Sequence, residues 1–318
     1  MKKLLAILLV LSMVFALAAC GGASTMTMGT GSPTGTYYAY GGILGQYIKN
    51  NAGINVNAVS TGGSKDNIQG IDVNDYQLGT VQSDVMHYAY TGTRSFEEAG
   101  KIDTFRTVAG LYAEAVQLVT TNPDIKSVAD LKGKKVSIGA AGSGVYFNAV
   151  DVLAAAGLTV DDINPQYQNF DQSADALKDG KIDAAFIVAG APTPAITELC
   201  MTNSKTSIVP IDGDIAAKLM KDNTFYSVYK IPAGTYANQS AEITTVTVKA
   251  TLIVSASASE DDVYNLTKAI FDNIEDITKE HAKGAELSLE NATEGLTVPF
   301  HAGAAKYFKE KGIEVAVQ

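Results

Sequence analysis

The stretch Ile54-Asn55-Val56-Asn57-Ala58-Val59, then Ser60-Thr61-Gly62-Gly63-Ser64, then Lys65-Asp66-Asn67-Ile68 contains the plan of the whole chain. Alternating and β-branched residues from Ile54 to Val59 predict a strand. The Ser/Thr/Gly run predicts a tight turn with capping hydroxyls, and a helix follows from about Lys65. The same unit recurs on either side. Thr25 to Gly29 leads through Gly31-Ser32-Pro33-Thr34-Gly35 into a helix from about Thr36 to Asn50. Gln77 to Val81 leads through Gln82-Ser83-Asp84 into another. Lys135 to Gly139 leads through Ala141-Gly142-Ser143-Gly144 into a helix ending near Ala156. Ala184 to Val188 leads through Ala189-Gly190-Ala191-Pro192-Thr193 into a fifth helix. Strands alternating with helices predict an α/β fold, its mainly parallel sheet covered by helices on both faces.

Two stretches break the alternation. Thr107 to Thr121 and Thr244 to Ala256 are long, β-capable runs with no helix inside them. The helix after the second carries Val263, Leu266, Ile270, Ile274 and Ile277 at helical spacing. Two crossings let the chain leave one lobe and return to it. They predict one lobe from 26–117 plus 241–318, a second from 118–240, and a cleft with a hinge between them.

The N-terminus addresses the protein. Lys2 and Lys3 precede an apolar run from Leu4 to Leu17 that is too short to span a bilayer comfortably and has the flanks of a signal peptide. It ends in Leu17-Ala18-Ala19-Cys20, which resembles a bacterial lipobox, in which the Cys is diacylated and becomes the mature N-terminus. Residues 1–19 then form a signal peptide, and 20–25 a small, polar tether carrying lipidated Cys20. Cys200 remains alone, so no internal disulfide is expected. The formal charge is −10, and about −12 once Lys2 and Lys3 are removed, which argues against nucleic acid as a partner.

In an open α/β sheet, ligands bind beyond the carboxyl ends of the strands, where helix starts present unpaired N–H groups. Gly-rich turns let backbone approach a ligand, and their hydroxyls add donors. Each turn also reads as plain structural capping. Tyr37 and Tyr38 adjoin the first turn, and Tyr112 lies at the first crossing, two residues before Glu114. Glu114 reads equally as an acceptor for a ligand ammonium, a hinge residue or a solvated charge. Catalytic patterns are absent: Gly29-Thr30-Gly31 lacks the dinucleotide spacing, Ser143 lacks the nucleophile elbow, and His87, His281 and His301 have no metal-ligand spacing. No enzyme activity and no cofactor are expected. A lipoprotein that binds a protein partner is the competing reading.

Several segments, in this order, resemble the TAXI-type solute-binding proteins of TRAP (tripartite ATP-independent periplasmic) transporters. They include Gly29-Thr30-Gly31-Ser32-Pro33-Thr34-Gly35-Thr36-Tyr37-Tyr38, Ser60 to Asn67, Ala109-Gly110-Leu111-Tyr112 with Glu114, Gly139 to Gly144 and Ala189 to Pro194. The resemblance implies a two-lobed periplasmic-binding-protein type II fold with an interlobe ligand site. It also implies a carboxylate-bearing solute such as glutamate, glutamine or a 2-oxoglutarate-like compound, and a membrane permease pair driven by an ion gradient. Carried over residue by residue, the site would comprise Gly31, Ser32, Tyr37 and Tyr38; Ser60, Thr61, Gly63, Ser64 and Asn67; Gln82 and Ser83; Tyr112 and Glu114; and, across the cleft, Gly142, Ser143, Gly144 and Val145 with Gly190, Pro192 and Thr193. The family's first turn often has Gly-Gly where this chain has Ser32-Pro33. No Arg lies in these turns, so an anion would depend on helix starts and hydroxyls.

Overall fold

The computed structural model describes residues 24–317. The signal segment and Cys20 lie outside the described residues.

The first lobe opens with three βα units: β1 (Thr25–Gly29) and α1 (Thr36–Ala52), β2 (Asn55–Val59) and α2 (Ser64–Asp72), β3 (Leu78–Gln82) and α3 (Ser83–Thr91). β1 pairs in parallel with both β2 and β3. Tyr40, Leu44 and Ile48 form a fully buried i, i+4, i+8 stripe on α1. Gly53, at φ 70°, ends that helix in the left-handed conformation and returns its N–H to the Lys49 carbonyl.

β4 (Phe105–Thr120) then leaves the lobe. At about 3.3 Å per residue its 16 residues reach roughly 50 Å, enough to serve both lobes. The second lobe continues with β5 (Lys135–Ser137), α4 (Val145–Ala155), β6 (Asn164–Gln166), α5 (Phe170–Lys178), β7 (Ala184–Ala189), α6 (Pro194–Thr202), β8 (Ser207–Val209), α7 (Gly213–Asp222) and β9 (Ser227–Ile231). β10 (Ile243–Ser255) returns antiparallel to β4. Its first half pairs with β9 and its second half with β3. β4 likewise pairs with β10 from Phe105 to Ala115 and with β7 from Ala115 to Thr120. Both strands are therefore shared between lobes. The chain closes with α8 (Glu260–Phe271), α9 (Ile274–Glu280), α10 (Leu289–Thr293) and α11 (Ala302–Glu310).

Strand alternation feeds separate cores on the two sheet faces. Leu252 packs with Met28, Tyr40 and Phe308, whereas Ile253 packs with Ile68, Val85 and Phe105. In the second lobe Phe186 faces Val152 and Leu219, and Ile187 faces Leu177 and Leu199. Three expectations shift in detail. Gln82 is the last residue of β3 and not part of the turn; Ser83 and Asp84 already belong to α3. The late helix divides between Phe271 and Ile274. The sheet is mixed, because the two shared strands run antiparallel to their neighbours. Among the described residues no helix is long and apolar enough to cross a membrane.

Candidate functional site

A cavity of about 50 Å³ lies between the lobes where the turns converge. The first lobe contributes Gly31, Ser32, Gly35, Thr36 and Tyr37 from the first unit, Thr61, Gly62, Gly63 and Ser64 from the second, and Gln82 from the end of β3. Glu114 comes from the middle of β4. The facing lobe contributes Ala140, Ser143, Gly144, Val145, Asn169, Phe170, Val188 and Ala189.

The lobes are closed on each other. Ser32 Oγ and Thr34 Oγ1 both donate to Asp171, at 2.8 and 2.5 Å. Thr36 Oγ1 donates to the Gly190 carbonyl at 2.9 Å. The N–H groups of Lys65 and Asp66 donate to the Gly142 carbonyl. Gly63, at φ 112°, occupies a backbone region that side chains rarely adopt, and a Cβ there would lie 3.4 Å from Ser143 Cα. The second and fourth turns thus meet backbone to backbone.

The helix starts differ in what they leave free. At α2 most donors are already used, leaving only the Ser64 N–H without a protein acceptor among the described residues: Gly62 N–H goes to Asp66, Gly63 N–H to Thr61 Oγ1, and Lys65 and Asp66 N–H to Gly142. At α1 and α4 the first N–H groups, of Thr36, Tyr37 and Val145, have no protein acceptor among the described residues. These two ends, with their helix dipoles, can take an anion. The opposite character comes from Glu114, which is 2 % exposed. Its Oε2 accepts the Tyr37 hydroxyl at 2.6 Å, and Oε1 has no protein partner among the described residues. Burial raises the Glu114 carboxyl to about 8, against the opposing effect of the Tyr37 hydrogen bond. Burial, with Glu114 adding to it, also raises the Tyr37 hydroxyl well above its ordinary range. Phe170, Tyr37, Val145 and Val188 supply apolar wall. The cavity therefore offers backbone donors, carboxyl and amide acceptors, and no cationic side chain.

Of the residues expected from sequence, Gly31, Ser32, Tyr37, Thr61, Gly63, Ser64, Gln82, Glu114, Ser143, Gly144 and Val145 line this cavity. The others do not. Tyr38 is 39 % exposed on the outer side of α1. Tyr112 is buried in the core with its ring edge-on to Tyr40, centroids 5.1 Å apart. Asn67 ties strand ends together, donating to the carbonyls of Thr30 and Thr80 and accepting from Thr61 Oγ1. Ser60 Oγ donates to Gly31 O, and Ser83 Oγ accepts from Lys249 N–H. Gly142 and Gly190 act through carbonyls that hold the lobes together. Pro192 precedes Thr193 outside the cavity wall, and Thr193 is fixed by Tyr236 and Gln117. Sequence reasoning missed Gly35, Thr36, Gly62, Ala140, Asn169, Phe170, Val188 and Ala189. Gly35 has a specific reason to lack a side chain: a Cβ would come within 3.2 Å of the Phe170 ring. Among the described residues no group of His, Cys, Asp or Glu could hold a metal ion.

Two lobes joined by shared strands, closing on a small cavity at helix starts, define the periplasmic-binding-protein type II fold. The alkanesulfonate-binding protein SsuA from Xanthomonas axonopodis pv. citri, bound to MOPS, matches at 15 % identity and TM-score 0.50, covering 92 % of each chain. A protein of Bordetella bronchiseptica RB50 matches at 18 % identity and TM-score 0.55, covering 90 % of this chain and 89 % of that one. A Listeria monocytogenes protein provisionally assigned as an L-cystine ABC transporter matches at 18 % identity and TM-score 0.51, covering 84 % and 98 %. The chain belongs to the NMT1-like family, matched over residues 28–312.

Proposed function

We propose that this protein is an extracytoplasmic solute-binding receptor that captures a small carboxylate-bearing molecule between its lobes and presents the closed form to a membrane permease. The observation that carries this reading is the closed interlobe cavity, lined from both lobes, with unpartnered helix-start N–H groups on its wall. Binding stabilises the closed state by adding contacts that exist only there. A glutamate-like or 2-oxoglutarate-like solute has the charge for such a site, and the lobes would close less tightly around it than they do on the cavity of about 50 Å³. The finer reading is a TRAP receptor of the TAXI type, tethered through lipidated Cys20 and serving an ion-gradient-driven permease. Its support is the ordered set of resembling segments, from Gly29-Thr30-Gly31 to Ala189-Gly190. A receptor for an ATP-driven permease is the second reading, favoured by the Listeria monocytogenes neighbour.

The test is native mass spectrometry of the freshly purified protein, followed by a thermal-shift screen of amino acids, dicarboxylates and sulfonates. A co-purified small molecule that raises the melting temperature supports the receptor reading. No bound or stabilising solute, together with capture of a protein partner, would overturn it. A permease gene beside this one, with or without an ATPase gene, separates the two transporter types.

A further inference from the structure

A chain of hydrogen bonds runs from the surface to the cavity, and its direction is fixed at every step. Arg94, in the short helical turn that follows α3 in the first lobe, pairs with Asp151 of the second lobe, Nη2 to Oδ1 at 2.6 Å. Its guanidinium also lies over the rings of Tyr88 and Phe147. A paired carboxylate only accepts, so the Tyr226 hydroxyl donates its proton to Asp151 Oδ2 at 3.0 Å. Having spent its proton, the Tyr226 oxygen can only accept from Asn148, 2.8 Å away. The atom Asn148 turns towards Tyr226 must then be its amide nitrogen, which also donates to Asp84 Oδ2 at 3.1 Å. Asn148 Oδ1 is left to face Gln82, whose Nε2 donates to it at 3.0 Å. The amide of Gln82 is thereby oriented, and its Oε1 is left over.

That oxygen is buried and has no hydrogen-bond partner. It lies against Gly144 on the cavity wall, where a Cβ would come within 1.7 Å of it. Gln82 and Asn148 are themselves buried, at 2 % and 0 % exposure. An unsatisfied buried acceptor in a native site calls for a missing donor. Glu114 Oε1, on the same cavity wall, has no protein partner among the described residues. Oε2 is taken by the Tyr37 hydroxyl, so Oε1 holds the carboxyl proton while the site is empty and becomes a second acceptor once an ammonium group displaces that proton. No Lys or Arg lines the cavity to supply either.

We infer that Glu114 and Gln82 form the subsite for a protonated amine on the solute, and that Asn148, oriented by Tyr226 and Asp151, is the positioning residue that keeps an acceptor turned towards it. This rests on the receptor reading above and narrows it: the solute is an amino acid and not the corresponding oxo acid. Its carboxylate takes the free N–H groups of α1 and α4. The relay crosses between lobes, so the subsite is complete only when they close.

The test is calorimetric titration of the purified full chain with matched pairs: L-glutamate against 2-oxoglutarate, L-leucine against 4-methyl-2-oxopentanoate, and L-alanine against pyruvate. The amino acid of the best pair should bind at least tenfold more tightly, the worth of one or two charge-assisted hydrogen bonds. Glu114→Gln should weaken the amino acid by tenfold or more and leave the oxo acid within threefold. Tyr226→Phe removes the fixed direction, frees Asn148 to turn over, and should narrow the ratio between the two acids severalfold. Equal weakening of both acids by Tyr226→Phe would mean a purely structural Tyr226 and would overturn the relay. An oxo acid that binds as well as its amino acid overturns the amine subsite while leaving the receptor reading intact. Failure of every small molecule to bind overturns the receptor reading and the subsite with it.

Discussion

Removing the Asp171 carboxylate isolates the energetics of lobe closure. Asp171 stands in the first turn of α5, in the second lobe, and accepts hydroxyl protons from Ser32 and Thr34 of the first. Each is a partly buried hydrogen bond to a charged group, worth about 1 kcal/mol net in that setting. Together they favour the closed form by about 2 kcal/mol, close to thirtyfold in the open–closed equilibrium. Because the contacts span lobes, neither core depends on them. Asp171→Ala should therefore cost the folded lobe only the loss of an acidic residue near a helix start, about 0.3–1 kcal/mol. Two readouts follow. Distance distributions between spin labels on the two lobes should shift towards the open form in the ligand-free protein. Affinity for the native solute should fall by about ten- to thirtyfold, with Asp171→Asn intermediate because its amide oxygen still accepts. A variant with unchanged distances and unchanged affinity would show that Ser32 and Thr34 do not hold the cleft shut, and would refute the reasoning.

Gly144→Ala introduces no backbone strain, since φ is −71°, but its methyl would collide with Gln82 Oε1. Solute affinity should drop more than tenfold in calorimetry while the ligand-free melting temperature barely moves, because the open form has no such contact. Burial raises Glu114 to about 8 and Asp84 to about 7, so above the ordinary carboxylate range the folded chain keeps protons that the unfolded chain has released. Stability without solute should therefore fall as pH rises from about 5 to 8, by at most about 1.4 kcal/mol per unit for each group. Urea unfolding across that range should show the slope, and Glu114→Gln should flatten it. Phe186, 1 % exposed in the second-lobe core, should cost about 3–5 kcal/mol as Phe186→Ala in the same assay. Cys20→Ser should abolish incorporation of labelled palmitate and move the protein from the membrane to the soluble fraction.

The βα plan was legible because it rests on local chemistry. Val56, Ala58 and Val59 read as a strand from their own residue types, and the Gly and Ser of the next turn can do little else. The β-branched runs from Thr107 and Thr244 likewise announced β4 and β10, whose length makes them serve two lobes. The division of labour among turn residues was not legible. Asn67 and Thr61 sit in one turn with equivalent polarity. The structure buries the Asn67 amide between two strand ends, where it donates to the carbonyls of both Thr30 and Thr80, whereas the shorter Thr61 hydroxyl meets only that of Thr30 and stays on the cavity wall. Asp171 and Phe170 begin an ordinary capped helix, and only lobe closure brings them to Ser32 and Gly35, over 130 positions earlier. Glu114 shows the boundary most directly. The sequence by itself established an acid in a long strand between two lobes, from residue type and spacing. Whether that acid was a hinge, a solvated charge or an acceptor depended on which groups surround it. Only the tertiary structure ruled out a solvated charge, by burying the carboxyl beside Tyr37 with one oxygen free of protein partners among the described residues, since solvation and hydrogen-bond partners come from residues far away in the chain.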